Sequence, residues 1–300
     1  MFRNRNVILW IVVFMLAWGC ASTSKTHNVS MQQTADQLFE KGDFDQALTV
    51  YEKIIQSCLS EKRTAECAAY GKAGLAALET GKINKAVDYL KMDTYTPFAT
   101  EETYFGLTRA YRQIDNLSKE LMALEDYTEK HSSGNHISKV NDRLFEVYVE
   151  SENYPEAMQM WPQLNTEAQS RIEMLDLWFT VNLEMENNQE VDRLADVLLQ
   201  NNPQHVAALE WKAEKSYGKA ENDYQREMQA YENKRTNKQY QIMLKALDDI
   251  TAEFKIALGF YEKLYSIDPK SEYASYMSNI YVRFNDKEKA DYYRRKAEDK

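Results

Sequence analysis

Gly42-Asp43-Phe44-Asp45-Gln46-Ala47 is the stretch that decides the fold, because its pattern returns as Gly81-Lys82-Ile83-Asn84-Lys85-Ala86. In both places an amphipathic segment precedes the glycine and another follows it, and Tyr51 and Leu90 stand at the same position after the alanine. A glycine between two such segments is typical of a tight turn that ends one helix and lets the next begin. The repeated unit is therefore predicted to be a pair of helices joined by a tight turn.

This unit resembles the tetratricopeptide repeat, which has a small residue at the turn, an aromatic or aliphatic residue shortly after it and an alanine further on. Five weaker copies follow, so the resemblance covers about residues 31–300. Ala157, Ala257 and Ala290 hold the alanine position in three of them, whereas Glu120 stands there in the third copy and makes that copy degenerate. The resemblance implies a chain built almost entirely of stacked helix pairs.

Composition also predicts a helical protein. The 300 residues include only nine glycines and five prolines, the two residues that interrupt helices most strongly. The predicted fold class is all-α: an α-solenoid of tetratricopeptide-like helix pairs, with one elongated antiparallel helical hairpin near the C-terminus. The formal net charge of −10 argues against nucleic acid as a partner, because phosphate backbones require a basic surface.

Residues 206–269 form the predicted hairpin, since no proline interrupts the chain between Pro203 and Pro269. Its second half carries an apolar heptad, and the polar segment 233–238 is the natural place for a turn. Two helices of about 28 residues would each reach about 40 Å. The alternative is one straight helix of about 60 residues, which would leave both apolar seams in water. The heptad residues are Tyr240, Leu247, Phe254 and Tyr261, with Met243, Ile250, Ala257 and Leu264 three positions later.

The N-terminus has the pattern of a secretory signal. Arg3 and Arg5 precede a short apolar run, which small residues and Cys20 follow. This arrangement resembles the lipobox of bacterial lipoproteins, and that resemblance implies removal of residues 1–19 and diacylation of Cys20. The alternative is an ordinary signal peptide or an uncleaved helix. Lipidation would place the protein in a bacterial cell envelope, anchored at the outer membrane and facing the periplasm.

The remaining sequence divides into a tether at 20–30, the repeats at 31–205, the hairpin at 206–269 and a C-terminal capping repeat at 270–300. Cys58 and Cys67 are the other two cysteines, and we expect them to form a disulfide in an oxidising compartment, with two free buried thiols as the alternative. We expect no cofactor apart from the covalent lipid on Cys20, no metal and no enzymatic activity. No metal-ligand pattern, P-loop or catalytic arrangement of residues fits the chain.

The resemblance implies that the first helix of each pair lines a groove that binds peptides. Phe105, Arg109 and Arg112 form its most suggestive group, because two arginines beside an aromatic ring suit a carboxylate and an apolar side chain. The alternative is that the arginines pair with acidic residues of the next repeat, such as Glu146. The predicted groove residues are Phe39, Leu75, Phe105, Arg109, Arg112, Asp142 and Glu146.

These features predict a membrane-anchored periplasmic scaffold that binds protein partners in an envelope assembly, secretion or motility machine. A transient chaperone requires the same groove and is not distinguished by the sequence. Twenty tyrosines also suit a second class of protein, glycan-binding lipoproteins that assist outer-membrane nutrient importers. Most of these tyrosines fall on repeat or heptad positions, including Tyr51, Tyr148, Tyr240 and Tyr261, which favours a core role for them.

Overall fold

The structure, a computed structural model, describes residues 30–298, which form fifteen α-helices and no strand. The first, α1, covers 30–40. The others are α2 Phe44–Ser60, α3 Tyr70–Glu79, α4 Ile83–Asp93, α5 Glu101–Gln113, α6 Leu117–Lys130, α7 Ile137–Glu150, α8 Tyr154–Met160, α9 Thr166–Ser170, α10 Ile172–Glu184, α11 Asn188–Asn201, α12 Val206–Asn233, α13 Asn237–Ile267, α14 Ser271–Arg283 and α15 Lys287–Glu298.

One turn geometry recurs seven times within this part of the chain, six of them between two α-helices. In each turn a residue with positive φ follows the end of one helix. The backbone amide of the next residue donates a hydrogen bond to the carbonyl five positions earlier. The amide of Asp43 donates to the Leu38 carbonyl at 2.9 Å, and that of Asn153 to the Tyr148 carbonyl at 2.8 Å. The seventh positive-φ residue, Lys62, follows α2 and leads into a short 3₁₀ helix. The six that lie between α-helices are Gly42, Gly81, Asp115, Glu152, Glu186 and Asn285.

These turns join α1 to α2, α3 to α4, α5 to α6, α7 to α8, α10 to α11 and α14 to α15, while α12 and α13 form the hairpin. The predicted class, an all-α solenoid of tetratricopeptide-like helix pairs with one elongated hairpin, is confirmed. The chain divides into two compact units at Asn165 and Thr166. That division lies inside the predicted repeat segment 31–205.

Helix α4 lies very close to α3 in the first unit. A Cβ added to Gly74 would lie 2.5 Å from Leu90 Cγ and 2.9 Å from the Leu90 backbone nitrogen. Gly106 of α5 lies against Leu75 and Leu90 in the same way. Missing side chains therefore let three helices meet around Leu90, which is fully buried.

A disulfide joins Cys58, near the end of α2, to Cys67, just before α3. The two Cα atoms are 5.9 Å apart, and both side chains are buried in the core of the first unit. A short 3₁₀ helix, Thr64–Glu66, lies within the bridged segment. The bridge thus closes the longer connection that separates the first helix pair from the second.

The hairpin of the second unit has 28 residues in α12 and 31 in α13, whereas α14 and α15 have 13 and 12. The two helices are tightly packed in the half of the hairpin that lies away from its turn, since Phe254 and Tyr261 are at most 2 % exposed there. At the heptad position nearest the turn, the Tyr240 ring packs against Tyr231 of α12 with centroids 5.7 Å apart and remains 41 % exposed. Tyr240 lies beyond the reach of α14, so no third helix covers the seam there.

No helix among residues 30–298 is both long and apolar enough to cross a bilayer. Residues 1–29 lie outside the described part of the chain, and with them the predicted signal peptide 1–19 and the predicted lipidation site Cys20. Signal cleavage and lipidation therefore stay predictions.

Candidate peptide-binding surface

The predicted groove residues of the first unit lie on its first helices, α1, α3, α5 and α7. Phe39 and Leu75 are only half-buried, and both pack against the core. The Phe39 ring meets the edge of Phe44 with centroids 5.1 Å apart. These two side chains thus contribute to helix packing as well as to the surface.

Phe105 of α5 stacks on His136, the residue just before α7. Its ring is parallel to the His136 imidazole within 6°, with centroids 4.0 Å apart. His136 Nε2 lies 2.8 Å from Glu102 Oε1, which fixes the imidazole over the phenyl ring. One face of Phe105 is therefore already covered by the protein itself.

The two arginines of α5 have different environments. Arg109 Nη2 donates to Glu79 Oε1 of α3 at 3.0 Å, so its partner belongs to the preceding pair and is not Glu146. Arg112 is exposed and makes no ion pair with any residue of 30–298. Arg112 alone of the two arginines thus has its full charge open to a ligand.

Glu146 belongs to a partly buried charge cluster that was not predicted from the sequence. It accepts a hydrogen bond from Arg143, which also binds Glu120 and Glu150. Glu120 is only 3 % exposed. Burial alone would lower the pKa of the Arg143 guanidinium, but its hydrogen bonds to the three glutamates outweigh burial and raise it. Asp142 lies half-buried on the same helix.

The loop between α6 and α7 is closed by a carboxylate. Glu101 Oε1 accepts hydrogen bonds from the Tyr127 hydroxyl and from the His136 backbone amide, the latter at 3.0 Å. These bonds, led by that from Tyr127, lower the pKa of Glu101. A Cβ on Gly134 would lie 2.6 Å from both Glu101 Oε1 and the Tyr127 hydroxyl, so only glycine leaves room for this contact.

Tyrosine hydroxyls tie successive helices to carboxylates throughout the first unit. Tyr51 donates to Asp36 at 2.6 Å, Tyr89 donates to Glu52 at 3.0 Å, and Tyr148 donates to Glu125 at 3.0 Å. Burial and the hydrogen bond to Glu52 raise the pKa of Tyr89 to about 12. Tyrosines engaged in this way connect repeats and do not present open rings to a sugar.

An open pocket of about 460 Å³ lies in the second unit. Its lining combines one indole with amide and charged side chains, and the Trp178 nitrogen donates to Glu190 at 3.2 Å. Among residues 30–298, no group of three histidine, cysteine, aspartate or glutamate side chains is placed to hold a metal ion. The pocket residues are Trp178, Asn187, Gln189, Glu190 and Arg193.

No protein-family model and no curated protein matches the chain. Among solved structures it is similar to YrrB, a tetratricopeptide-repeat protein with an unusual peptide-binding site, at 14% identity and a TM-score of 0.46, covering 60% of this chain and 89% of YrrB. It is also similar to the C-terminal part of a tetratricopeptide-repeat protein from Cytophaga hutchinsonii, at 14% identity and a TM-score of 0.46, covering 89% and 93%. A tetratricopeptide-repeat protein from Parabacteroides merdae has a TM-score of 0.42 at 14% identity, covering 90% and 92%.

The helix pairs themselves define the class. The described chain is an all-α array of tetratricopeptide-like helix pairs.

Proposed function

We propose that this protein is a lipid-anchored periplasmic adaptor, which binds one protein partner along its first helices and a second through the tip of its hairpin, within an envelope assembly, secretion or motility machine. The anchor in this proposal is Cys20, and its support is the sequence pattern at the N-terminus. The interaction role is supported by the exposed surface of the helix pairs and of the hairpin.

The observation that carries the proposal is the exposure of the hairpin in the half nearest its turn, which we call the tip. Tyr240 and Leu244, one turn apart on the same face of α13, are 41 % and 39 % exposed, and Ile242, on the other side of the helix, is 45 % exposed. Exposed apolar side chains that lie next to one another on a protein surface mark interaction sites. Lys234 and Arg235 lie beside them in the turn and add positive charge to an otherwise acidic chain.

Neighbouring helices do not cover this tip. Arg283 ends α14, and its guanidinium contacts Glu221 and the ring of Tyr224 on α12. Beyond Tyr224, α12 continues to Asn233, about 14 Å further along the helix axis. That distance is enough to place the tip in contact with a second protein.

The test is cross-linked recovery of partners from native membranes. We expect the full-length protein to recover one integral envelope machine, and the double charge reversal Lys234→Glu with Arg235→Glu to lose it without a change in melting temperature. The matched control is Lys255→Glu with Lys287→Glu, which changes the net charge equally at exposed lysines away from the tip. Recovery that both double variants leave unchanged would remove the tip from the mechanism.

The anchor is tested separately with Cys20→Ala. If lipidation positions the adaptor, this variant leaves the membrane fraction and loses the machine, while the hairpin and the repeats remain folded. Membrane association that survives the substitution would contradict the lipid anchor.

Glycan binding is the second candidate, favoured by the open pocket with Trp178, Asn187 and Arg193. An indole beside amide and charged groups can hold a sugar ring through its apolar face and its hydroxyls. Trp178 is only 7 % exposed, however, so little of its ring is open. Recovery of glycans or of a nutrient porin in the same experiment, lost on Arg193→Ala, would favour this function over the adaptor.

A further inference from the structure

Helices α12 and α14 of the second unit place carboxylates and tyrosines together on one surface. Glu210, Glu214 and Tyr217 follow one another at helical spacing on α12. Glu272 and Tyr276 do the same on α14. The rings of Tyr217 and Tyr276 meet at 4.9 Å in a T-shaped arrangement, which joins the two helices at this point. We call these five residues the acidic tyrosine patch.

Tyr261 of α13 lies beneath the patch. It is 2 % exposed and is stacked on Tyr276 with ring centroids 4.7 Å apart and planes within 10°. Its hydroxyl is buried and has no hydrogen-bond partner among residues 30–298. A buried hydroxyl is normally paired, because leaving it unpaired destabilises the folded state. This hydroxyl is therefore an available donor and acceptor at the base of the patch.

Negative charge dominates around that hydroxyl. Burial, followed by the neighbouring tyrosines and the charges of Glu214 and Glu272, raises the pKa of Tyr261. Desolvation and the charges of Glu210 and Glu272 likewise raise the pKa of Glu214. Neither Glu214 nor Glu272 forms an ion pair within the described chain. These two carboxylates of the patch thus have no positive charge among residues 30–298 to balance them.

Two cations lie near the patch, and both are already engaged. Arg283, whose charge opposes the rise in the pKa of Tyr217 that burial causes, donates to Glu221 at 2.8 Å. Lys270 is the other. Its ammonium lies 3.1 Å from the Tyr273 hydroxyl and 3.6 Å from Glu210 Oε1. Tyr273 itself donates to Glu210. These contacts compensate Glu210 and leave the two other carboxylates without a partner.

We propose that the acidic tyrosine patch binds a lysine or arginine side chain of a partner protein, with the cation between Glu214 and Glu272 and against the tyrosine rings. Aromatic faces attract such cations, and carboxylates bind them through charge-assisted hydrogen bonds. The Tyr261 hydroxyl accepts or relays a hydrogen bond from the bound group. This inference rests on the proposed adaptor function and assigns it a cation-selective surface in the second unit.

A metal ion is not the occupant that these residues suit, because no three ligating side chains of the described chain converge closely enough to coordinate one. A flexible organic cation requires no such convergence. Its positive group can lie between separated carboxylates while its methylenes contact the rings.

The test is an NMR titration of the full-length protein with small probes. Nα-acetyl-lysine-amide and Nα-acetyl-arginine-amide are compared with the neutral Nα-acetyl-norleucine-amide and the acidic Nα-acetyl-glutamate-amide. We expect the two cations alone to shift the aromatic signals of Tyr217, Tyr261 and Tyr276. Equal shifts from the norleucine or glutamate probe would overturn the proposal.

Variants separate binding from folding. Glu214→Gln with Glu272→Gln removes both unpaired charges and should weaken cation binding at least tenfold. The control Glu184→Gln, at an exposed position on α10, should leave binding unchanged. Tyr261→Phe should weaken binding while the melting temperature of the free protein stays equal or rises, because the unpaired hydroxyl is gone. Unaltered cation binding in the double glutamine variant would refute the site.

Failure of this site is distinguishable from failure of the adaptor function. A partner that binds the wild type and the double glutamine variant equally would leave the adaptor function standing and reject the patch. Cation binding at the patch without any recovered protein partner would leave the patch standing and reject the adaptor function.

Discussion

Arg143 donates two parallel hydrogen bonds to Glu120, from Nε to Oε1 at 2.7 Å and from Nη2 to Oε2 at 3.1 Å. Glu120 stands on α6 and Arg143 on α7, so the pair joins two successive helix pairs. The position of Glu120 is one where the repeat pattern has a small residue. The chain has therefore replaced apolar packing at that point by a bidentate ion pair.

This pair predicts a double-mutant cycle. Arg143→Met should lower the free energy of unfolding by about 3 to 5 kcal/mol, because it leaves Glu120 buried without a cation. Adding Glu120→Leu should restore most of that loss, since an apolar pair of similar volume can replace a buried ion pair. Urea unfolding of the wild type, of Arg143→Met, of Glu120→Leu and of the double variant provides the measurement. A double variant as unstable as the sum of its two single changes would contradict the coupling.

The disulfide makes a prediction that depends on redox conditions. Cys58→Ala with Cys67→Ala should lower the free energy of unfolding by about 2 to 3 kcal/mol, because the bridge restricts the unfolded chain. Reduction of the wild-type protein should have a similar effect. The melting temperature with and without reductant measures it, and the double variant, which should be insensitive to reductant, is the control. Equal stability of the oxidised wild type and the variant would refute the prediction.

Substitution of glycine by alanine should have opposite effects on stability at two kinds of position. Gly74→Ala should destabilise the first unit by about 1 to 3 kcal/mol, because its methyl group would collide with the Leu90 backbone. Gly218→Ala and Gly259→Ala should instead stabilise the hairpin by about 0.5 to 1 kcal/mol each, since nothing lies within 4 Å of the added carbon. Thermal unfolding of the three variants tests both signs at once.

Asp93 predicts a pH dependence. Its carboxylate is 1 % exposed and accepts a hydrogen bond from the Thr103 hydroxyl at 2.7 Å. Burial raises its pKa above the ordinary value of 3.8, although hydrogen bonds from Thr103, Thr96 and Gly71 oppose the shift. The folded protein therefore keeps this proton at a pH where the unfolded chain has lost it. The stability from Asp93 is complete below the unfolded pKa and is lost as the pH rises through the folded one.

The measurement compares wild type with Asp93→Asn across pH 4 to 7 by urea unfolding. The stability of the wild type relative to the variant should fall as the pH rises, by at most about 1.4 kcal/mol per pH unit. The amide of asparagine does not titrate, so the variant supplies the baseline. A constant difference between the two proteins over this range would show that Asp93 does not carry the effect.

The turns show how far sequence reasoning reaches. Gly42 and Gly81 reveal two of the six turns between α-helices, because glycine adopts a positive φ without strain. Asp115 and Asn285 carry a weaker signal, because aspartate and asparagine adopt this conformation more often than other side chains, whereas Glu152 and Glu186 carry none. The residue after the turn offers a better one. It is an aspartate or asparagine in five of the six turns, as in Asp43, Asn116, Asn153, Asn187 and Asp286.

The partners of charged residues could not be predicted in the same way. The periodicity places Arg109 on the groove side of its helix, and the structure agrees that it is partly exposed. Its partner depends on the rotation and spacing of the neighbouring helices, which bring Glu79 within 3.0 Å. Residue spacing does not encode that contact between helices. It does encode the pair of Glu146 with Arg143, which lies three residues earlier on the same helix.

The hairpin has one further consequence, which concerns how unfolding begins. Ile250, Phe254 and Leu264 are buried where other helices pack against it, whereas Met243 is the one heptad residue buried towards the tip. Local opening requires least free energy where the fewest apolar contacts are lost. The amides near the tip should therefore exchange their hydrogens soonest, and the arm that reaches furthest for a partner is the part that ordering by that partner would change most.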